Sequence, residues 1–222
     1  MFTRTTLVTI GVGVAAATVA GLTRQRLVTD LRAQLRRAEH TAAHDPLTGL
    51  LNREGLLAQL HQLLAADRPV WVWLADLDQF KQVNDTYGHD AGDQVIIEVA
   101  RRMRTIARHG WQIGHLHGDE FAGCGPGDLD TGMSAAIAIR NAIGHRPFTL
   151  PGCPTLDVRV SIGVAAYRVG LNAPLLFKHA DRAMYEAKDD TTKVVAHRPS
   201  GNDIDHIPAR PALRDRDRPR HR

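Results

Sequence analysis

The chain has 222 residues, 43% hydrophobic and 23% charged, enough to bury one domain core with extensions and ordinary for a folded domain. Its net charge of +4 sits at the two ends: residues 1–44 stand at +4 and residues 198–222 at +3, leaving the middle mildly acidic at −3. That distribution excludes a basic nucleic-acid-binding core, although an acidic domain can take nucleotides when metal ions bridge carboxylates to phosphates.

Residues 5–22, "TTLVTIGVGVAAATVAGL", carry no charge and are roughly long enough to span a bilayer. Arg4 precedes the run, and Arg24, Arg26, Arg32, Arg36 and Arg37 follow it. The heavier basic flank is carboxy-terminal, so the rule that basic flanks stay inside puts the remainder in the cytoplasm and residues 1–4 on the far side. The expectation is a single-pass anchor in the inner (cytoplasmic) membrane; a cleaved signal peptide is the rival reading. In residues 23–44, Leu27, Leu31, Leu35, Ala38 and Ala42 recur at helical spacing with Arg on the other faces. This predicts a stalk helix that could dimerise, or one that packs on its own domain.

The domain is expected over 45–196. "DPLTGLLNR" is a turn leading into a helix with Leu56, Leu57, Leu60, Leu63 and Leu64 on one face. Residues 70–75 form an almost continuous apolar run, the pattern of a buried strand, ending at Asp76. A short helix, a Tyr-Gly-His turn and a long helix with Val95, Ile96, Val99, Met103 and Ile106 inward come next. "WQIGHLHGDEFAGCG" alternates around a Gly-Asp turn and predicts a hairpin with Asp119 and Glu120 at its tip. A helix over "TGMSAAIAIRNAIG", a strand over "LDVRVSIGVAAY", an amphipathic helix over "PLLFKHADRAMYEAKDD" and a short strand "KVVA" complete it. The order predicts an α/β (α+β) domain, a mixed central sheet flanked by helices. Residues 197–222, rich in Arg, Asp and Pro, are expected to be disordered. Cys124 and Cys153 lack CxxC spacing and read as buried small hydrophobes.

Asp76 and Asp78 at a strand end, with Asp119 and Glu120 on a hairpin tip, offer two clusters of hard oxygen ligands that could hold Mg²⁺. Asp78 is equally well placed to cap the helix that follows. The segments "DPLTGLLNR", "DLDQFKQVNDTYGHDAGD", "HGDEF", "VSIGVA" and "ADRAMYEAK" occur in this order. Together they resemble the GGDEF family of diguanylate cyclases over about residues 40–196, and the resemblance implies a nucleotidyl-cyclase-like fold.

In that family two domains meet face to face, each holding GTP, and the 3′-hydroxyl of each GTP attacks the α-phosphate of the other to give cyclic di-GMP and pyrophosphate. Carried over by position, the resemblance implies Asp76, Asp119 and the Leu77 carbonyl as ligands of Mg²⁺ or Mn²⁺, with Glu120 a further ligand or the general base. It implies Asn84 and Asp93 as readers of guanine, His89 beside the nucleotide, and Lys81 and Lys188 on phosphate charge. It also implies a homodimer for turnover, GTP as the partner and no nucleic acid. Asn84 and His89 could instead shape the helix–turn–helix, and Lys188 could be a solvated surface residue. Asp45, Asn52 and Arg53 are expected to be structural, and Gly163 to permit close packing.

The chain departs from the family pattern in four places. His117 stands where the signature has its first Gly, and His115 where an Arg is usual two residues earlier. After Lys188 the chain runs "DDTTKVV" without the usual phosphate-contacting Arg, Lys193 being a possible point charge in its place. "RHGW" keeps Arg108 but has Trp111 where the feedback-site Asp would stand, so no product-inhibition site of that type is expected. The leading expectation is a membrane-anchored cyclase. The alternative is a degenerate domain that binds GTP or a partner as a regulatory module.

Overall fold

The structure is a computed structural model and describes residues 25–35, 38–66, 68–149, 155–168 and 171–198. The expected anchor at 5–22 and the basic tail beyond residue 198 lie outside the described residues. Among the described residues no helix is long and apolar enough to cross a membrane. The chain is helical over 25–35 and 38–43, and the domain begins after it. Its elements are α1 (Arg53–Ala65), β1 (Val70–Leu77), α2 (Phe80–Tyr87), α3 (His89–Ile106), β2 (Gln112–His117), β3 (Glu120–Pro126), α4 (Leu129–Gly144), β4 (Val160–Ala166), α5 (Ala173–Ala187) and β5 (Val194–Ala196).

The strands lie in the order β2-β3-β1-β4-β5, antiparallel except for the parallel β4–β5 pair, which makes the sheet mixed as expected. Central β1 is buried along its whole length. Its alternate residues feed two cores. Trp71, Trp73, Ala75 and Leu77 face Val95, Val99 and Met103 of α3 and Ile139 and Ile143 of α4. Val70, Val72 and Leu74 face Leu56 and Leu60 of α1 and Leu176, Ala180 and Met184 of α5. The sheet is therefore a middle layer, and each helix buries its apolar stripe on one side of it.

The two indoles of β1 need small neighbours. Trp73 pairs with Gly123 and Trp71 with Gly125 across β3, and a Cβ on either glycine would stand within 2.5 Å of the indole opposite. Gly163 of β4 has the closest approach expected of it: a Cβ there would meet the Met184 nitrogen at 2.0 Å and the Ala180 carbonyl oxygen at 2.2 Å. The missing side chain thus lets the α5 backbone lie directly on the sheet.

Two sequence expectations are corrected at element edges. The strand expected from Leu156 starts at Val160; Leu156 instead pairs with Phe148 in an isolated bridge that carries the chain back to the sheet. The cap expected from Asp78 is absent: Gln79 takes the N-cap position of α2 in a left-handed conformation with no side-chain cap, and Asp78 is engaged elsewhere. In the leading helical stretches Leu27, Leu31 and Leu35 stay 55–59% exposed, so this apolar stripe does not pack on its own domain.

Candidate active site

β1 and β3 run antiparallel in a register that sets Asp76 directly opposite Glu120. Both belong to the residue set whose side chains point toward α1 and α5, and both are buried, at 5% and 6% exposure. The turn joining β2 to β3 is Gly118–Asp119, with Gly118 in the left-handed region at φ +54°. The Leu77 N–H donates to the Asp119 carbonyl at 3.2 Å, which pins the hairpin tip to the end of β1. Carboxylates from two distant parts of the sequence, Asp76 and the consecutive Asp119 and Glu120, are thereby placed at one end of the sheet.

The electrostatics of this corner are strained. Burial, and next the charge of Asp76, push the Asp119 carboxyl up to about 6, while Lys188 acts the other way. Lys188, the first residue after α5, places its ammonium 2.6 Å from Asp76 Oδ1. Its side chain is thus paired with Asp76 and only partly exposed, and is not a freely solvated surface lysine. Among the described residues no three His, Cys, Asp or Glu side chains close into a cation cage. Mg²⁺ needs none: it takes one or two carboxylates and completes its octahedron with water and phosphate oxygens. A buried pair of facing carboxylates beside a third whose ionisation is disfavoured by burial and by the Asp76 charge suits such an ion, since a divalent cation relieves that repulsion.

Asp78 has partners of its own. It accepts a hydrogen bond from Ser161 Oγ at 2.7 Å and lies 3.4 Å from Lys193 Nζ. Lys193 also donates to the Lys188 carbonyl at 2.6 Å, so the altered segment after α5 folds back onto the site and supplies a second cation. Gln79 and Lys193 are the non-glycine residues with positive φ among the described residues, and both sit beside Asp78. Conformations of this kind cost energy and concentrate at functional sites.

The two histidines of the variant signature have separate places. His117 is at the end of β2, outside the left-handed region, so the turn's unusual backbone falls on Gly118 and not on the substituted position. Its ring is 55% exposed and its Nε2 lies 3.3 Å from Glu120 Oε2. The replacement therefore acts on Glu120 and leaves the turn intact. His115 is buried, with Nδ1 3.0 Å from Asp45 Oδ1 and Nε2 2.9 Å from the Gly118 carbonyl.

The expected guanine readers lie apart from the carboxylates, at the α2–α3 junction. Asn84 Oδ1 sits 1.9 Å from where a Cβ on Gly92 would be, so Gly92 makes room for the amide next to Asp93. His89 and Asp93 are exposed on the first turns of α3, and Lys81 is exposed on α2. Asn52 is structural as expected: its side chain caps α1 through the Gly55 N–H at 2.8 Å and donates to the Ala42 carbonyl at 2.7 Å. Sequence reasoning missed Ser161, which β1–β4 pairing brings opposite Asp76. It also missed an open pocket of about 400 Å³ beside Glu120, walled by Leu57, Leu74, Leu116 and Phe177 with Arg53 among its lining.

The sequence profile of the diguanylate cyclase GGDEF domain matches residues 42–193. The chain is 37% identical to diguanylate cyclase DgcM of Escherichia coli over 172 residues, covering 74% of this chain and 41% of DgcM. It is 38% identical to the response regulator PleD of Caulobacter vibrioides over 176 residues, covering 74% of this chain and 38% of PleD. The chain thus spans about two fifths of the length of these relatives. Among solved structures, the coiled coil and GGDEF domain of DgcB from Caulobacter crescentus, in complex with c-di-GMP, superposes with a TM-score of 0.71 at 27% identity, over 82% of this chain and 98% of that one. With the profile running through β1 to β4 and the signature turn, the chain belongs to the GGDEF family of diguanylate cyclase domains.

Proposed function

We propose that the chain is a diguanylate cyclase that condenses two GTP into cyclic di-GMP across a homodimer, held at the cytoplasmic membrane by residues 5–22. The observation that carries this reading is the facing pair Asp76–Glu120 with Asp119 beside it, bracketed by Lys188. Asp76, Asp119 and the Leu77 carbonyl would hold Mg²⁺ or Mn²⁺, with Glu120 beside them. When bound, the ion neutralises phosphate charge and lowers the pKa of the attacking hydroxyl.

The chain's own residues do the rest. Asn84 and Asp93 orient the base, the amide and carboxylate matching the O6 acceptor and the N1 and N2 donors of guanine. Lys188 and Lys193 place positive charge where the phosphates lie, as point charges and not as a bidentate fork. Glu120 is positioned to accept the proton of the 3′-hydroxyl. The new bond joins that oxygen to the α-phosphorus of the second GTP, and the bond from that phosphorus to its α–β bridging oxygen breaks, that oxygen leaving as a terminal oxygen of pyrophosphate. One domain holds one GTP, so ring closure requires a second copy in opposition. The exposed Leu27, Leu31 and Leu35 stripe supports a dimerising stalk, and the likeness to DgcB extends over its coiled coil.

A second reading, a domain that binds GTP without turnover, is favoured by one observation: His117 lies against Glu120 and engages the carboxylate that the reaction uses. Incubation with GTP and Mg²⁺ or Mn²⁺, followed by chromatography for cyclic di-GMP, separates the readings. The cyclase reading expects product in the wild type, none from Asp119→Ala, and more from His117→Gly. GTP binding with no product from the wild type or from His117→Gly would establish the second reading.

A further inference from the structure

The helical stretch over 38–43 leads into the domain and carries a pair of histidines at its end. His40 and His44 are four residues apart, the spacing that sets side chains one above the other on a helix face. Their rings meet edge-on, with centroids 3.8 Å apart and planes at 76°. His44 Nδ1 lies 2.7 Å from His40 Nδ1 and 2.9 Å from the His40 carbonyl oxygen. With a proton on its Nδ1, His44 shares one N–H between these two acceptors. With both ring protons on Nε2, both nitrogens and the oxygen present lone pairs. We propose that His40 and His44 form a chelate site for a late first-row divalent cation of the Cu²⁺ or Ni²⁺ type, where the leading helix enters the domain.

The donor set selects the cation. Imidazole nitrogen suits copper, nickel and zinc, whereas Mg²⁺ keeps to oxygen, so this site and the carboxylate corner take different ions. The bite narrows the choice further. Two nitrogens at roughly 2.0–2.1 Å from a metal lie about 2.9 Å apart at a right angle and about 3.3 Å apart at the tetrahedral angle. The observed 2.7 Å is nearer the right angle, which is the geometry of tetragonal Cu²⁺ and Ni²⁺ and not of tetrahedral Zn²⁺.

The pair is also pre-positioned and reachable. His44 is held to the domain by its backbone bridge to Leu51. Asn52 secures the preceding turn, its side chain donating to the Ala42 carbonyl at 2.7 Å and its N–H to the Ala43 carbonyl at 2.9 Å. His40 is exposed and His44 half-buried, so a cation can enter from solvent. The adjacent Asp45 carboxylate is engaged by the Thr48 N–H and hydroxyl. Among the described residues no third His, Cys, Asp or Glu side chain joins the pair, so water completes the coordination. Because the chelate spans one helical turn, an occupied site holds residues 40–44 in the helical form.

The site stands whether or not the chain turns over GTP. The test is calorimetric titration of Ni²⁺ into the full chain at about pH 7.5, where ligation does not compete with excess protons, with Mg²⁺ present in excess. Electron paramagnetic resonance of the Cu²⁺-loaded chain counts the nitrogen ligands. His40→Ala and His44→Ala should each weaken Ni²⁺ about a hundredfold, because a chelate becomes a single contact. Each should also reduce the copper spectrum from two imidazole nitrogens to one. His40→Ala with Ala42→His keeps the number of histidines but sets the rings two residues apart, where they do not face each other, and should bind as weakly as His40→Ala. His61→Ala, at an exposed position on α1, should bind like wild type. Amide exchange over residues 40–44 should slow with Ni²⁺ in the wild type and not in His40→Ala. Equal Ni²⁺ affinity in wild type and the single variants, binding restored by the shifted histidine, or displacement of Ni²⁺ by Mg²⁺ would overturn the proposal.

Discussion

Substitution of Asp119 by Asn should make the metal-free protein more stable at neutral pH while removing its activity. The carboxyl stands at about 6 in the fold against 3.8 outside it, through burial and the neighbouring Asp76 charge. Below pH 3.8 the group is neutral in both states and costs nothing. Between pH 3.8 and 6 the folded state holds the extra proton, so stability falls as pH rises. Above pH 6 the group is charged in both states, and the fold carries the full cost, up to about 3 kcal/mol. Asn keeps the shape and hydrogen-bonding of the neutral acid without that charge. In EDTA at about pH 7.5 the Asp119→Asn chain should therefore melt about 6–12 °C above wild type, converging on it near pH 4. Mn²⁺ should raise the wild-type melting temperature at neutral pH and leave the variant unmoved. A variant that melts at or below wild type in EDTA at neutral pH would refute the reading of this corner as a charge-stressed site awaiting a cation.

Three further outcomes bear on the scaffold. Gly163→Ala forces a Cβ into the α5 backbone, 2.0 Å from the Met184 nitrogen, and should destabilise the domain by about 3 kcal/mol, read as a large drop in chemical-denaturation midpoint. Asn52→Ala removes the α1 cap and its tie to Ala42, and should cost about 1 kcal/mol in the same assay with the denaturant slope unchanged. Burial pushes the Cys124 thiol up to about 12, so at about pH 8 iodoacetamide should leave it unmodified in the native chain and alkylate it once urea unfolds the protein, as peptide mass mapping would show.

Much of the domain was legible in its sequence, for physical reasons. β1 announces itself because a strand buried on both faces must be apolar at every position. The hairpin is readable because Gly118 and alternation are local signals, and its two carboxylates follow at once. The features that were not legible depend on residues far apart in sequence. Asp78 follows a strand and precedes a helix, so local reasoning assigns it a cap. Ser161 and Lys193, which in fact engage it, arrive only when β4 and β5 pair into the sheet. His117 read as a backbone problem because glycine was expected there. The hairpin shows that Gly118 alone takes the positive φ, so the histidine acts through its side chain. The His115–Asp45 contact joins the start of the domain to the middle of the chain, and no spacing rule foresees it.

Whether the corner formed by Asp76, Asp119 and Glu120 makes cyclic di-GMP is tested most directly by mass spectrometry of the full chain incubated with GTP and Mn²⁺. Pyrophosphate is quantified in parallel, and Asp119→Ala is the control. Cyclic di-GMP with two pyrophosphates released for each, absent from the control, is the predicted result. GTP recovered intact, or a product that persists in Asp119→Ala, would contradict it.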